Sequence, residues 1–434
     1  MIDGGLAAIG GFVALFGLAV LRVPVGFAML LAGLGGIAAT VGVGPAAAIA
    51  LQSPLRTLTA HDMLLIPMFI AMSALANHTG LGRELYGAGQ AWAGHRRGGL
   101  GLATILASAG FAGICGSSVA STAAMARVAL PEMRAHGYAP RLAAGTVAAG
   151  GTLGILIPPS LVLALYGLLT EQDIGKLFIA GLLPGLLAVV LYGLAVSWVA
   201  RRDPGAAPRA PRTPWRGRLV SLRGLWAVLL IFAGIIGGLY LGVFAPSEAG
   251  AMGALGVAVV GLVRGRLDAR AVRAGLTEAA RTAASVMVVL IGALVFGYFL
   301  ALTRAPQMLV AMLADTGLPP WGVMAAMLAG YLLLGCVLDT LAMIVLTVPI
   351  TYPVAMALGF DPIWFGVVVT MTVEIGLITP PYGLNVLVLN TIARDVGLID
   401  IYRGVAPFVC ADLVRLILIC LLPGIVLWLP STMG

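Results

Sequence analysis

Apolar residues dominate this chain in long runs, interrupted at intervals by short polar or Gly/Pro-rich breaks. A helix needs about 20 apolar residues to cross the hydrocarbon core of a bilayer. On that measure the pattern predicts spans near 5–21, 24–43, 63–80, 143–170, 177–200, 225–244, 247–263, 283–302, 363–391 and 405–430. Two further stretches, 101–131 and 321–353, are long for one crossing and short for two. Each is broken in the middle by a polar cluster, Gly116-Ser117-Ser118 in the first and Asp339-Thr340 in the second. Two half-helices meeting at a tip inside the membrane fit that pattern, and a bilayer tolerates such a tip only where protein or a wet cavity satisfies its backbone. The alternative is a plain kinked helix.

The pattern also repeats. Pro24, Pro131, Pro140, Pro158 and Pro159 recur 222 positions later as Pro246, Pro353, Pro362, Pro380 and Pro381, five of the nine prolines before residue 200. Gly113, Gly154, Asp173 and Gly175 likewise recur as Gly335, Gly376, Asp395 and Gly397. The chain is therefore read as a duplication, 1–200 and 225–434, joined by a linker at 201–224. Five crossings plus one hairpin per half is an odd count, so with the linker on one side the halves must be inverted. That predicts an all-α polytopic membrane protein of two inverted-topology repeats. Such repeats with broken helices are a transporter architecture whose site lies near the midplane.

Composition agrees: 61% of residues are hydrophobic and only 10% charged, against about 25% charged in a soluble domain. A soluble protein and a nucleic-acid binder are excluded. The net charge of +8 is local. Residues 201–281 hold twelve basic and four acidic side chains, and the remainder balances. Under the positive-inside rule this places the linker and the mouth of the first hairpin, flanked by Arg96, Arg97, Arg134 and Arg141, in the cytoplasm. An anionic-lipid contact is a weaker reading of the same cluster. The second hairpin, flanked by Arg304, Asp315 and Asp361, opens to the other side, and both termini are expected to be periplasmic. MIDGG at the start lacks the basic region of a cleaved signal. Four cysteines in apolar runs, without CxxC spacing, are expected to be small buried fillers.

The chemistry is expected where each hairpin tip pairs with a second break, GGTLGILIPP (150–159) in the first half and EIGLITPP (374–381) in the second. Proline removes an amide donor and glycine relaxes the turn, so upstream carbonyls are freed. Carbonyls with Ser, Thr or Asp oxygens make a nest suited to sodium, while half-helix N-termini can face an anion. The bland alternative is that Ser117, Ser118 and Thr152 bond helix carbonyls and permit close packing. Asp339 and Glu374 are read as the acids well inside apolar segments, each costing roughly 2.5–3.5 kcal/mol at mid-membrane on insertion scales. Asp339 is assigned to cation coordination. Glu374 is left between a functional and a structural role, and Asn385 between facing substrate and capping a half-helix. His61, Asp62 and His78 fall at span ends. No HExxH or GxSxG motif is present, so an intramembrane enzyme has no visible nucleophile or metal centre.

The stretches GFAGICGSSVASTAAMARVALPEM (110–133), GGTLGILIPPS (150–160), IGKLFIAGLLPG (174–185), LLLGCVLDTLAMIVLTVPI (332–350) and EIGLITPPYGLNVLV (374–388) resemble the large permease subunit of TRAP (tripartite ATP-independent periplasmic) transporters. Cys115 stands where such proteins more often carry Ser, and Thr372 where they often carry Asn. The resemblance implies an elevator-type, sodium-driven importer in a bacterial or archaeal inner membrane. Its implied partners are a separate four-helix membrane subunit, a periplasmic binding protein and a small organic anion of the carboxylate class. It implies no cofactor beyond coupling sodium ions and no other metal. It places Ser117, Ser118 and Gly154 in one sodium site, to which the nest reading adds Thr152, and Asp339, Thr340, Gly376 and Thr379 in the other. Ser121, Pro158, Pro381 and Asn385 are taken as substrate-facing. A stand-alone sodium- or proton-coupled anion carrier of the same architecture is the alternative, and an ion channel a more distant one.

Overall fold

The computed structural model describes residues 4–315 and 317–433. Met1–Asp3, read above as part of an uncleaved terminus, and the Asp315 side chain lie outside the described residues. The first half runs α1 (Gly4–Val20), α2 (Val25–Val41), α3 (Val43–Thr59), a 3-10 turn at His61–Leu64, α4 (Leu65–Thr79), α5 (Leu81–Ala93), α6 (Gly99–Cys115), α7 (Ser118–Ala135), α8 (Pro140–Leu156), α9 (Leu161–Thr170) and α10 (Ile174–Arg202). The linker carries the short α11 (Trp215–Leu222). The second half runs α12 (Trp226–Tyr240), α13 (Pro246–Val263), α14 (Ala269–Thr303), α15 (Ala305–Asp315), α16 (Pro320–Gly335), α17 (Thr340–Ala357), α18 (Pro362–Gly376), α19 (Leu384–Ile392), α20 (Leu398–Leu421) and α21 (Gly424–Ser431).

The offset of 222 carries over to the structure. Shifted by that amount, α7 becomes α17 residue for residue at both ends. Gly137 and Gly359, one shift apart, both take the left-handed conformation after the second hairpin arm, with φ of 74° and 80°. Glycine suits that position because it has no Cβ to clash. Caps recur too: the Ser117 side chain accepts the Ala120 amide, and its counterpart Asp339 accepts the Leu341 and Ala342 amides.

The halves differ in places that periodicity did not mark. The equivalent of continuous 35-residue α14 is split in the first half into α3 and α4, bent by 65°. The expected spans 143–170 and 363–391 are each two helices parted at the Pro-Pro break, and 405–430 divides into α20 and α21 at Pro423. By length and composition six helices of the described residues can cross a membrane, eight if bent pairs count. The other crossings fall to shorter apolar helices such as α1 and α2, whose 17 residues rise about 25 Å.

The two hairpins enter from opposite ends. At the open end of α6–α7 the Leu100 amide donates to Tyr138 Oη (3.1 Å). The linker lies across this end: Ala207 and Ala206 carbonyls accept the Gly98 and Ala139 amides, and Ala210 donates to the Gly94 carbonyl. Starting from that linker, α10 runs back 29 residues, about 40 Å of helix, to Ile174. There Gln172 Nε2 donates to Tyr352 Oη of α17 (3.1 Å), and Tyr166 Oη to the Pro362 carbonyl (2.7 Å). The mouth of α16–α17 is therefore at the far end, as inverted repeats require.

The halves join most tightly where α8 crosses α20. A Cβ on Gly145 would lie 2.2 Å from Gly404 backbone, and one on Gly404 would lie 1.9 Å from the Arg141 carbonyl oxygen. Neither glycine has a glycine at its repeat equivalent (Val367 and Leu182), so this crossing is particular to the assembled pair. Two of the four cysteines, Cys115 and Cys336, are buried, but Cys410 is exposed on α20, so the expectation of four buried fillers is corrected. Gly404→Val is expected to overpack this crossing by about 1–3 kcal/mol or more. Thermal unfolding in detergent should show it melting well below wild type, while Gly234→Val, with no atom within 4 Å of its Cβ position, should not.

Candidate functional site

Each hairpin tip is packed against the break of the helix that follows it, and the contacts are backbone to backbone. In the first half a Cβ on Gly116 would lie 2.6 Å from the Pro159 carbonyl oxygen. One on Gly154 would lie 2.9 Å from both the Ser117 carbonyl oxygen and Ser121 Oγ. Glycine at these two positions is what lets the tip carbonyls close on the break. Ser121 is fully buried, and its Oγ has no oxygen or nitrogen partner among the described residues. Ser117, Ser121 and Gly154 are thus brought together as one cluster of oxygens.

The second half repeats the arrangement with different residues. A Cβ on Gly376 would lie 2.6 Å from the Gly335 carbonyl carbon, so α18 meets the end of α16 at van der Waals limit. Thr379 donates to the Ile375 carbonyl (2.7 Å), which leaves its oxygen lone pairs free. The carbonyls of Leu377 and Thr379 both crowd Gly383. Asp339 is exposed at the tip with its carboxylate on two amides of α17, and Thr340 beside it is buried. Among the described residues the link between tip and break runs through Gly335, not through Asp339. Both Pro-Pro bonds, Pro158–Pro159 and Pro380–Pro381, are cis.

Asn385, left open between two roles, is fully buried and reaches across the repeat boundary. Its Nδ2 donates to Ser118 Oγ at the first hairpin tip and to the Ala148 carbonyl (3.3 Å). Its Oδ1 has no partner among the described residues. It does not cap its own helix. Pro158 is buried and Pro381 exposed, the latter with its carbonyl accepting Tyr402 Oη (2.7 Å).

Thr152 points elsewhere. Its hydroxyl lies 2.7 Å from the Ala149 carbonyl and 3.1 Å from Tyr192 Oη, two acceptors that share its one proton, away from the Ser117 cluster. There it begins a chain of polar groups on four helices. Tyr192 donates to Asp412 Oδ2 (2.6 Å), and Arg415 Nη2 lies 2.9 Å from both Asp412 Oδ1 and Glu374 Oε2. Thr152, Tyr192, Glu374, Asp412 and Arg415 are all 0% exposed. The reading of Asp339 and Glu374 as the acids inside apolar runs is therefore corrected in part: Glu374 is fully buried, Asp412 is buried as completely, and Asp339 is exposed. Asp412 and Arg415 stand three apart within the apolar run of α20, a spacing that places opposite charges on one helix face. That spacing was the signal available in the sequence. Among the described residues no group of three His, Cys, Asp or Glu side chains could hold a metal ion.

Two inverted helical repeats, with paired hairpins and broken helices lined by oxygens, define a multi-pass membrane transporter. The sequence pattern described as "Tripartite ATP-independent periplasmic transporter, DctM component" matches residues 12–425, and the chain belongs to that family of transporter permeases, which are not enzymes. It is 37% identical over 377 residues to the C4-dicarboxylate TRAP transporter large permease protein DctM of Pseudomonas aeruginosa, covering 86% of this chain and 87% of that one. It is 31% identical over 425 residues to the sialic acid TRAP transporter large permease protein SiaM of Vibrio cholerae, covering 98% of each. The isethionate TRAP transporter permease protein DctMQ of Oleidesulfovibrio alaskensis is longer. The match at 30% identity covers 96% of this chain and 65% of that protein. The crystal structure of the Alcanivorax borkumensis YdaH transporter shares the fold, with a TM-score of 0.64 over 88% of this chain and 89% of that one, at 17% identity.

Removing one member of a buried ion group leaves the others unpaired, at a cost of about 3–5 kcal/mol, whereas replacing the whole group by apolar residues is often neutral. Arg415→Ala is expected to melt far below wild type in detergent, and the combined Glu374→Leu, Asp412→Leu, Arg415→Met variant close to it. Equal losses in the two would assign the stability to packing instead of charge.

Proposed function

We propose that this chain is the large membrane subunit of a sodium-coupled, binding-protein-dependent importer of a small organic anion. Large permeases of this family work with a small membrane subunit and a substrate-binding protein, and the same two partners are inferred here. The observation that carries the sodium assignment is the pair of tip-to-break contacts, at Gly154 against Ser117 and Ser121 and at Gly376 against Gly335. Each presents neutral oxygens at short range, the donor set of a hard monovalent cation. The site residues proposed are Ser117, Ser118 and Gly154 for one ion, and Asp339, Thr340, Gly376 and Thr379 for the other.

Four helices, α7, α9, α17 and α19, begin at these tips and breaks. Helix N-termini carry partial positive charge and suit an anion held between the two nests; those of α7 and α9 are capped by neutral serine hydroxyls, whereas that of α17 already holds the Asp339 carboxylate. Arg415 is fully buried with Nη2 on two carboxylates and Nε and Nη1 without a hydrogen-bond partner among the described residues; the proposed anion contacts are helix termini and Asn385. The relatives' names print a C4-dicarboxylate, a sialic acid and isethionate, all small organic anions, and this chain is assigned to that class. The inverted hairpins suit an elevator in which they move as one body. On this reading the linker is cytoplasmic, the membrane is a bacterial inner membrane, and both termini are periplasmic.

Uptake by proteoliposomes containing this chain, the small subunit and the binding protein should require an inward sodium gradient. Uptake that persists undiminished in choline, or without the binding protein, would refute the coupling or the tripartite assignment respectively. Asp339→Asn keeps the helix cap and removes the charge, so it should raise the sodium concentration for half-maximal uptake about tenfold, equivalent to about 1.4 kcal/mol. Ser117→Ala with Ser118→Ala should shift the same curve in the same direction. A superimposable sodium curve would remove those residues from the site.

A further inference from the structure

The buried polar chain described above joins two residues that occupy one position in the duplication. Thr152 and Glu374 are related by the offset of 222, and each stands two residues before the glycine of its own nest, Gly154 and Gly376. The connectors are not products of the duplication. The equivalents of Tyr192, Asp412 and Arg415 are Val414, Val190 and Gly193. A continuous run of contacts of 3.1, 2.6, 2.9 and 2.9 Å thus ties the break in α8 to the break in α18 through α10 and α20, and closes into a ring because Thr152 also interacts directly with Glu374.

Nothing about ion pairing alone requires Tyr192 or Thr152 in this chain. Arg415 already contacts both Asp412 and Glu374, yet Tyr192 is fully buried and spans from Asp412 to Thr152, with its ring edge-on to Phe408 (centroids 5.4 Å). That packing holds the hydroxyl at one place, so a shift of the first break is felt at Asp412. Two carboxylates share one guanidinium, so Arg415 cannot follow one partner without stretching its contact to the other. Such a link transmits position between sites when both bias the same element.

We propose that this chain of side chains couples the two cation nests, with Tyr192, Asp412 and Arg415 as positioning residues. Filling one nest fixes its break, the link fixes the other, and the second ion binds to a site already ordered. This is positive cooperativity, in which the ordering cost falls on the first ion. The inference rests on the two-nest reading above, and its test separates the two.

The measurement is the thermal stability of the purified protein in lipid nanodiscs as sodium chloride replaces choline chloride, fitted for midpoint and Hill slope. Wild type is expected to be stabilised by sodium with a slope above one. Tyr192→Phe deletes only the hydroxyl that joins Thr152 to Asp412. It should bring the slope to about one and raise the midpoint roughly two- to thirtyfold, the range that positioning residues command. Asp412→Asn should do the same where it folds, and Tyr192→Phe decides the matter where it does not. A merely structural hydroxyl would lower the melting temperature at every salt concentration and leave slope and midpoint unchanged, which overturns the coupling. A wild-type slope of one also overturns it while sparing the sodium nests. No response of wild type to sodium beyond choline would remove the nests themselves.

Discussion

Everything in this fold depends on one constraint: a backbone amide or carbonyl freed inside a bilayer must find a partner within the protein. Four helices here are interrupted in mid-course, at 116–117, 157–160, 336–339 and 377–383. Each interruption frees groups that lipid cannot satisfy. The solution is to press the interruptions together in pairs, tip against break, with glycine wherever a Cβ would hold them apart. Ser160 illustrates how closely the accounting is kept, since its hydroxyl donates to the Ile155 carbonyl freed by the prolines while accepting the Leu163 amide. The same closeness that satisfies the backbone also concentrates oxygen atoms, and the proposed cation sites draw on that concentration.

Duplication supplied two such pairs, and the sequence has since driven them apart chemically. Ser117 became the counterpart of Asp339, and Thr152 of Glu374. One half is neutral at its cap and break and the other is acidic at both. An uncompensated acid at Glu374 is expensive when fully buried, and Arg415 with Asp412 is the response. Placing those groups on α20 instead of on α18 itself makes the compensation a contact between helices, so a local charge problem became a fastening across the repeat boundary. Asn385 does the same from the other side, donating from α19 to the tip of the first hairpin.

Much of this was legible in the amino-acid order because prolines, glycines and caps act locally. The offset of 222, both hairpins and both Pro-Pro breaks depend on residues that change the backbone at their own position, and the structure places them where the pattern did. What escaped the pattern depends on direction. Inside a fully apolar run no periodicity marks which face is buried, so Asp412 and Arg415 were overlooked although their spacing was visible. Thr152 was assigned to a nest by its neighbours in sequence, yet a helix turns successive side chains by about 100°, and the two steps from Thr152 to Gly154 put them on different faces. The bend between α3 and α4 has no counterpart in α14, where Val289 stands at the equivalent of Pro67, whose missing amide and ring disrupt the turn before it.

The division of labour among helices follows from the same closeness. Helices that meet through glycine at backbone distance, α8 with α20, α18 with α16, and α2 with α14 at Gly26 and Gly292, are locked, since no sliding path exists that avoids overlap of main chain. The contact of α4 with α6 at Ser73 Oγ and Cys115 Sγ (3.1 Å) instead uses side chains, which can change rotamer and pass one another. If the proposed elevator motion occurs, it must use interfaces of the second kind and spare the first. The glycine contacts therefore divide the molecule into a group of helices that carries the two nests, with α8, α16, α18 and α20, and a group that carries neither, with α2 and α14. The breaks of both proposed cation sites fall within the first group, and α10, which carries Tyr192, joins it because a Cβ on Gly181 would lie 2.6 Å from the Leu156 carbonyl oxygen of α8. Coupling between the nests then need not cross a moving surface, and it survives wherever that group stands in the membrane.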